Sequence, residues 1–305
     1  MESVNFVILG DQSIATEFGK KGTSTDLTLF DRKESEKIYT FVTPNGFPEK
    51  IQPLFQAIAL AEYVIFHVTA LDKFTGEQIL ALDALGKKDG VLSHSYDVDE
   101  SRLDLMIKGT VIEGYKKIEK DKIRDDLANF AVIKKDGKTS IVIDHTFDVK
   151  GVGTVALGKV LSGKVTQYDK ILHHPSKTEA MIKSIQMHDD DVKDSVCPAR
   201  VGLSLKNIKH DEITRGDILS NDSEINVATE ITINFKQNQF FKETISENQM
   251  CLVNIGLQIK AAKFASISPV KLIFEKPVVI MPDDVCVLLK PESNSVRIIG
   301  SGAPQ

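Results

Sequence analysis

The chain has 305 residues, about twice the length of a typical domain, which predicts two or three domains. Hydrophobic residues make up 42% of it and charged residues 27%. No apolar run approaches the roughly 20 residues of a membrane helix, so the composition excludes a membrane-spanning or a disordered chain. The first residues lack the basic and apolar regions of an export signal, and we expect a cytoplasmic protein. Three widely separated cysteines predict small buried residues instead of disulfides or zinc ligands: Cys197, Cys251 and Cys286.

The net charge of −5 argues against a strongly basic nucleic-acid-binding protein, although the charge is unevenly distributed. Residues 1–128 carry −6, residues 129–221 carry +2 and residues 222–305 carry −1. The middle part is therefore the only basic part of the chain.

The first third of the chain alternates apolar strands with helices. Strands are predicted at 4–9, 37–42, 63–68 and 90–93. Apolar residues at helical spacing predict helices over 51–59 and 75–85, and an amphipathic helix over 109–129. This alternation is typical of an α/β domain with a mostly parallel sheet, which we place at residues 1–128.

The periodicity changes after Phe130. An Asp-Gly pair at 136–137 separates two β-branched runs and predicts a hairpin over 131–144. Short β-branched runs then continue to the end of the chain, with no helix longer than two turns. We expect two small β-barrels, at 129–221 and 222–305, divided at the polar stretch 220–224. The predicted fold class is thus multi-domain, α/β followed by all-β.

A glycine-rich segment at 151–156 matches the G-x-G-x-x-A pattern of dinucleotide-binding loops. Such glycines should follow a strand and open a helix, whereas here β-type sequence continues to residue 161. The segment is better explained as a barrel strand with glycines at tight bends.

The same region carries a family resemblance. Residues 147–163, FDVKGVGTVALGKVLSG, resemble the opening of the second domain of translational GTPases of the elongation factor Tu class. The resemblance continues through 182–188, 199–203 and 215–219, and is greatest to the selenocysteine-specific elongation factors and to archaeal paralogues of elongation factor Tu. It implies a GTPase domain at 1–128, while 222–305 fits the family's third barrel by position and β content.

The implied GTPase domain departs from the family's phosphate-binding motif, G-x-x-x-x-G-K-[ST]. Gly10 keeps the first glycine, but Ala15, Thr16 and Glu17 replace the glycine, lysine and hydroxyl residue. A carboxylate about 4 Å from a phosphate charge would oppose binding by about 4 kcal/mol at an effective dielectric constant of 20. The simpler interpretation of Glu17 is an acidic residue in the first turn of a helix.

The other nucleotide-binding stations have also changed. The segment 22–27 is similar to the first switch, with Ser24 at the place of the Mg²⁺-binding threonine. The second switch reads TPNGF at 43–47, which keeps only Gly46, and HSYD at 94–97 replaces N-K-x-D and keeps only Asp97. The resemblance therefore implies a degenerate GTPase domain with no catalytic residue, and with GTP and Mg²⁺ as ligands only if unconventional residues bind them.

Histidines and acidic residues near the middle of the chain raise the alternative of a metal site: His173, His174, His188 and 189–191. A solvated acidic turn explains 189–191 better, and we expect no metal. No Ser/His/Asp or Cys/His combination has a spacing that predicts a nucleophile.

The resemblance implies a translation elongation factor-like protein that binds tRNA or the ribosome and has lost GTP hydrolysis. Another translation factor is a further possible partner, and neither a membrane nor DNA is expected. Candidate RNA-phosphate contacts are the solvent-facing cations of the middle domain: Lys150, Lys159, Lys164 and Arg200. The alternatives are a GTP-binding factor with unconventional site residues and a protein-interaction scaffold.

Overall fold

The structure is a computed structural model that describes residues 1–305. It consists of an α/β domain with a seven-stranded sheet, followed by two β-barrels, which confirms the predicted fold class. None of its helices is both long enough and apolar enough to span a lipid bilayer.

The first domain is a sheet with helices on its faces. Its strands are β1 Glu2–Gly10, β2 Lys20–Ser24, β3 Thr28–Glu34, β4 Lys37–Thr43, β5 Tyr63–Val68, β6 Gly90–His94 and β7 Lys116–Lys117. Its helices are α1 Ala15–Phe18, α2 Gln52–Leu60, α3 Lys73–Ala84, α4 Glu100–Ile107 and α5 Ile123–Asp126. The strand order is β2-β3-β4-β1-β5-β6-β7, with β4, β1, β5, β6 and β7 parallel and β2 and β3 antiparallel at one edge. The continuous apolar run of β1 follows from its burial on both faces of the sheet.

The helix predicted over 109–129 is wrong. Gly109 has a φ of +75°, and the segment breaks into short turns, strand β7 and the four-residue helix α5. Its apolar residues are buried as the pattern suggested, but the pairing of β7 with β6 interrupts the helical path. Helix α4 was not predicted, because only Leu103 and Ile107 of its residues are buried and the rest are half-buried or exposed.

The hairpin predicted over 131–144 is also wrong. Residues 131–139 form no strand and instead run between the first two domains. The Tyr63 hydroxyl donates to the carbonyl of Ala131 (2.9 Å), and the Gly163 N–H donates to that of Lys135 (2.8 Å). These contacts with distant residues satisfy the backbone that a hairpin would have paired locally.

The second domain is a barrel closed by six strands. Its strands are β8 Ser140–Val149, β9 Gly153–Ser162, β10 Lys164–Thr166, β11 Lys170–His174, β12 Thr178–Met187, β13 Asp190–Val192, β14 Asp194–Val196, β15 Arg200–Lys206 and β16 Ile218–Ser220. The order β11-β16-β8-β9-β15-β12 closes through pairing of β11 with β12. The glycine-rich segment leads into strand β9 and not into a helix, as the context argument predicted.

The third domain is a closed barrel of six strands in the order β17-β20-β19-β18-β21-β22. These strands are β17 Asn226–Gln237, β18 Met250–Ile255, β19 Gln258–Ile267, β20 Val270–Ile280, β21 Cys286–Leu289 and β22 Ile298–Pro304. All three cysteines are free and buried, as predicted.

The largest hydrophobic cluster extends across all three domains. Its 33 buried residues come mainly from the first domain, but they include residues of both barrels: Val142, Ile218, Ile225, Leu257, Val279, Val287, Leu289 and Ile298. Helix α2 lies between the sheet and the barrels, and seven of its nine residues are buried. The three domains therefore share one apolar interface.

A buried ion pair fastens the third barrel to helix α3. Arg297 Nε lies 3.0 Å and 3.1 Å from the two carboxylate oxygens of Glu77, and its backbone N–H donates to Glu77 Oε1 at 3.2 Å. A further guanidinium nitrogen donates to the carbonyl of Pro48 (2.8 Å). Arg297 is 7% exposed and Glu77 is 1% exposed, so each charge depends on the other for its stabilisation.

The second barrel is held to its neighbours by a salt bridge and a close backbone approach. Arg215 donates to both carboxylate oxygens of Asp26 at 2.8 Å. Gly216 has a φ of +93°, and a Cβ there would lie 2.6 Å from Gln258 Cγ. Only glycine allows the second and third domains to approach so closely at this point.

We expect Arg297→Met to lower the free energy of unfolding by about 3–5 kcal/mol, because it leaves the Glu77 carboxylate buried and unpaired. Lys271→Met is a matched control, since the Lys271–Glu230 pair is exposed and should contribute less than about 1 kcal/mol. Chemical denaturation measures both. Equal costs for the two substitutions would contradict this prediction, and Glu77→Leu combined with Arg297→Met should be less destabilised than Arg297→Met alone.

Candidate functional site

The carboxyl edge of the parallel strands is where the implied nucleotide site would lie. Gly10 ends β1 with a φ of +74°, and a Cβ there would lie 1.9 Å from the carbonyl oxygen of His67. The Gly10 N–H donates to Gln78 Oε1 (2.7 Å), and the Asp11 N–H donates to the His67 carbonyl (2.9 Å). Gly10 is thus required by the packing of β1 against β5, and the amides beside it are already bonded to protein acceptors.

The residues after Gly10 do not form a phosphate-binding loop. A single 3₁₀ turn at Gln12–Ile14 leads directly into the four-residue helix α1. Asp11 caps this turn, accepting from the backbone N–H of Ser13 (3.0 Å) and from its hydroxyl (2.6 Å). Burial raises the pKa of Asp11, but the bonds from Ser13 outweigh burial and hold the pKa below its usual value. A carboxylate of the protein therefore occupies the Ser13 amide, one of those that a phosphate would need.

Glu17, which stands at the hydroxyl position of the motif, is on the surface. Glu17 forms a salt bridge with Lys120 (2.7 Å) in which both side chains are at least 40% exposed. Thr16 donates its hydroxyl to the backbone carbonyl of Ser13 (3.0 Å). These contacts fit the simpler interpretation of Glu17 as a residue of a short helical turn.

The other residues that the resemblance places at the nucleotide site are not connected to one another by hydrogen bonds. Ser24 is exposed on β2, with its hydroxyl 3.1 Å from Thr28 Oγ1. Gly46 donates its N–H to the carbonyl of Asp26 (3.0 Å), and Asp97 is exposed in the loop after β6. No hydrogen bond joins Gly10, Ser24, Gly46 and Asp97, and their role in binding nucleotide stays a prediction.

The residue at the histidine position of the second switch belongs to a domain interface. Phe47 is buried, its ring centroid lies 6.0 Å from that of Phe74, and the Arg297 guanidinium lies 5.6 Å from it. Phe47 is packed between the first and third domains, so the residue at this position of the second switch is not accessible to a water molecule at a nucleotide.

The four candidate RNA contacts divide into two pairs. Lys150 and Lys164 are exposed, and Lys164 pairs with Asp194 at 3.2 Å. The expectation that Lys159 faces solvent is wrong, because Lys159 is 5% exposed, forms a salt bridge with Glu62 and donates to the carbonyl of Leu60.

Arg200 also departs from that expectation. Its side chain is 18% exposed and pairs with Asp144 (2.9 Å). Lys159 and Arg200 lie on neighbouring strands at paired positions, on a face of the barrel that lies against the first domain.

The histidines considered as metal ligands are separated. His173 and His174 are buried and hydrogen-bonded to protein groups, whereas His188 and 189–191 are exposed at the turn between β12 and β13. The structure holds no group of three or more His, Cys, Asp or Glu side chains arranged to bind a metal ion.

An open groove lies where the three domains meet, and we call it the three-domain groove. It encloses about 570 Å³ and is lined by residues of every domain: Asp26, Lys50, Gln52, Pro53, Gln56, Thr214, Arg215, Leu252, Ile259 and Lys260. Arg215 is neutralised by Asp26, as described above. Lys50 and Lys260 form no salt bridge, so they give the groove a positive charge.

The groove also contains a buried acceptor. The side-chain oxygen of Gln52 is buried and has no hydrogen-bond partner. Burial raises the pKa of Asp26, but hydrogen bonding and the positive charge of Arg215 lower it further, so the net pKa is below its usual value. The groove thus offers two cations without a salt-bridge partner, and no sequence motif links these residues, which come from distant parts of the chain.

The comparisons with known proteins agree with this architecture. Residues 153–220 match the family described as Elongation factor Tu domain 2. Over its whole length, the chain superposes with a TM-score of 0.84 and 19% identity on translation elongation factor SelB from Methanococcus maripaludis in complex with the GTP analogue GPPNHP, and covers 79% of that chain.

Two relatives place the chain in a family. Uncharacterized protein MJ0325 of Methanocaldococcus jannaschii is 36% identical over 99% of both chains. The selenocysteine-specific elongation factor of the same organism is 27% identical over 79% of this chain, which spans 57% of that relative. The fold is shared with SelB, and residues 153–220 form a domain of the Elongation factor Tu domain 2 family. The whole chain belongs to the same family as MJ0325.

We expect His67 to make stability depend on pH. His67 is 4% exposed with its Nδ1 2.7 Å from Ser93 Oγ, and burial lowers its pKa below 6.5. The unfolded chain then binds more protons below about pH 6.5, so the free energy of unfolding should fall as the pH is lowered from about 7 to 5.

Asp284 opposes this trend, because burial raises its pKa to about 6. The measurement is therefore a comparison: the free energy of unfolding is determined against pH in the parent and in His67→Asn, and the two slopes are subtracted. We expect a shallower decline in His67→Asn and an unchanged slope in His210→Asn, since His210 is exposed. Identical slopes in the parent and His67→Asn would contradict the prediction.

Proposed function

We propose that this chain is an elongation-factor-like protein that has lost GTP binding and hydrolysis and acts where translation occurs, by binding tRNA or the ribosome. The observation that carries the binding part is the three-domain groove, where two lysines without a salt-bridge partner line one opening. The loss of nucleotide binding is argued separately, from the edge of the first sheet.

Three features support the loss of GTP binding. The amides of Gly10, Asp11 and Ser13 bond to protein acceptors, so a phosphate would have to displace them. No lysine stands at the phosphate-neutralising position, and each charge-assisted bond lost removes about 1.5–3 kcal/mol. Because micromolar affinity corresponds to about 8 kcal/mol, losing several such bonds is enough to abolish it.

We expect GTP and GDP to bind no more tightly than about 100 μM in the presence of Mg²⁺, as measured by titration calorimetry. ATP is the matched control, and it should give the same weak signal because no residue distinguishes the bases. A saturable micromolar isotherm specific for guanine nucleotides would reject the proposal in favour of a factor with unconventional site residues.

The groove suits RNA better than a small anion. Lys50 and Lys260 come from different domains and line one open groove of about 570 Å³. A chain of phosphates can contact both lysines at once, whereas a single small anion would contact one. The basic second domain supports the same reading, since Lys150 and Lys164 are exposed beside a barrel that matches elongation factor Tu domain 2.

We expect Lys50→Glu combined with Lys260→Glu to weaken binding to tRNA or ribosomes and to lower the slope of log affinity against log salt by about two units. Sedimentation at a series of salt concentrations measures binding to ribosomes, and filter binding measures binding to tRNA. Lys88→Glu combined with Lys236→Glu is the matched control. Lys88 precedes β6, at the edge of the first sheet opposite to Lys50, and Lys236 lies on β17, two strands from β19, which carries Lys260.

The outcomes separate the candidate functions. A parallel loss in Lys150→Glu combined with Lys164→Glu would extend the interface onto the second barrel. If the groove variant binds as well as the charge-matched control, the groove is not the interface. If the parent protein binds neither tRNA nor ribosomes at any salt concentration, a protein-interaction scaffold is the better account.

A further inference from the structure

The second barrel contains a Ser–His–Asp cluster that lies apart from the vestigial nucleotide site and adjoins the groove only through Thr214, which lines the groove and bonds to Asp217. His173 Nδ1 lies 2.7 Å from Ser176 Oγ, and His173 Nε2 lies 3.0 Å from Asp217 Oδ2. His173 is 1% exposed and Asp217 is 3% exposed, whereas Ser176 is exposed in the turn between β11 and β12. A buried carboxylate and imidazole therefore form a hydrogen-bonded chain with a hydroxyl at the surface.

The hydrogen bonds assign the protonation of the imidazole. A carboxylate can only accept, so the bond to Asp217 places the ring hydrogen on Nε2. Nδ1 is then the free base, and it faces the Ser176 hydroxyl. Serine hydrolases use the same order of acid, imidazole and serine, usually with Nε2 facing the serine.

The acid and the imidazole are held rigidly. Asp217 accepts from the backbone N–H of Thr214 (2.7 Å) and from its hydroxyl (3.0 Å). His173 lies on β11, which pairs with β16, the strand that begins directly after Asp217. Two paired strands thus fix the imidazole against the carboxylate, which is the positioning that a general base requires.

The serine has the remaining features of a nucleophile. Its hydroxyl donates to Thr178 Oγ1 (2.8 Å) and accepts from the Thr178 N–H (3.2 Å). Attack requires the hydroxyl hydrogen to turn from Thr178 Oγ1 to His173 Nδ1, which lies 2.7 Å from the serine oxygen. The backbone N–H of Ser176 makes no hydrogen bond within the chain. That N–H is available to an oxygen that becomes negative during attack.

We infer that Ser176 is an imidazole-activated nucleophile that is acylated by small carboxylic esters. Ser176 Oγ forms a bond to the ester carbonyl carbon while its proton passes to His173 Nδ1. The carbon–alkoxy bond breaks, and the alkoxide leaves as the alcohol after taking that proton. Water, deprotonated by the same nitrogen, then releases the acid and restores the serine. Asp217 is a positioning residue, because it acts through the imidazole.

The test is covalent labelling of the full chain with a fluorophosphonate, in which Oγ–P forms and fluoride leaves, followed by mass spectrometry of the labelled peptide. We expect one adduct, on Ser176, and none on Ser13. Ser13 is the matched control, because its exposed hydroxyl donates to a carboxylate at 2.6 Å with no imidazole. Ser176→Ala should lose the adduct and also the hydrolysis of p-nitrophenyl acetate above background.

Asp217→Asn separates activation from simple exposure. It removes the group that keeps the proton on Nε2, so the labelling rate should fall at least tenfold while Ser176 stays in place. If Asp217→Asn shows no cooperative unfolding transition, and so is not folded, the labelling rate of the native parent is compared with that of the parent in urea. Labelling should be lost in urea. The inference is overturned by no adduct on Ser176, by equal labelling of Ser13 and Ser176, or by a rate that neither Asp217→Asn nor urea changes.

Discussion

The attachment of helix α3 to the third barrel is the constraint on which much of this structure depends. Glu77 binds the buried Arg297 guanidinium, and its neighbour Gln78 accepts from the Gly10 N–H at the edge of the first sheet. Both side chains are buried. One helix therefore fixes the arrangement of two domains and closes the position that a phosphate-binding loop would occupy. Because the contacts lie on consecutive residues, the closed edge and the docked barrel support each other.

The shared apolar interface has the same consequence at a larger scale. A factor whose domains rearrange with its nucleotide needs interfaces that separate at low cost, whereas here one cluster of 33 buried residues joins all three domains. Polar contacts at this interface are buried as well, among them the salt bridge between Glu62 and Lys159, which domain separation would break. The first domain thus acts as a fixed part of the scaffold that shapes the three-domain groove.

Charge is used in two distinct ways in this acidic protein. Lys159 and Arg200 form salt bridges with carboxylates at or near the contact between the first two domains, and so help to hold these domains together. Lys50 and Lys260 stay unpaired, on elements from the first and third domains. The total charge and the charge of each segment cannot distinguish these two roles, because the distinction depends on which carboxylates the fold brings within reach.

The sequence by itself determined the α/β-then-β order, four of the seven strands of the first sheet (β1, β4, β5 and β6), helices α2 and α3, and the loss of the phosphate-loop lysine, because these depend on patterns within about ten residues. Only the tertiary structure decided the burial of Lys159, the absence of the 131–144 hairpin, the groove and the Ser–His–Asp cluster. Arg297 and Glu77 are 220 residues apart, and His173 and Asp217 are 44 apart. Such pairs are selected by the packing of whole strands and domains, which leaves no local periodicity in the sequence.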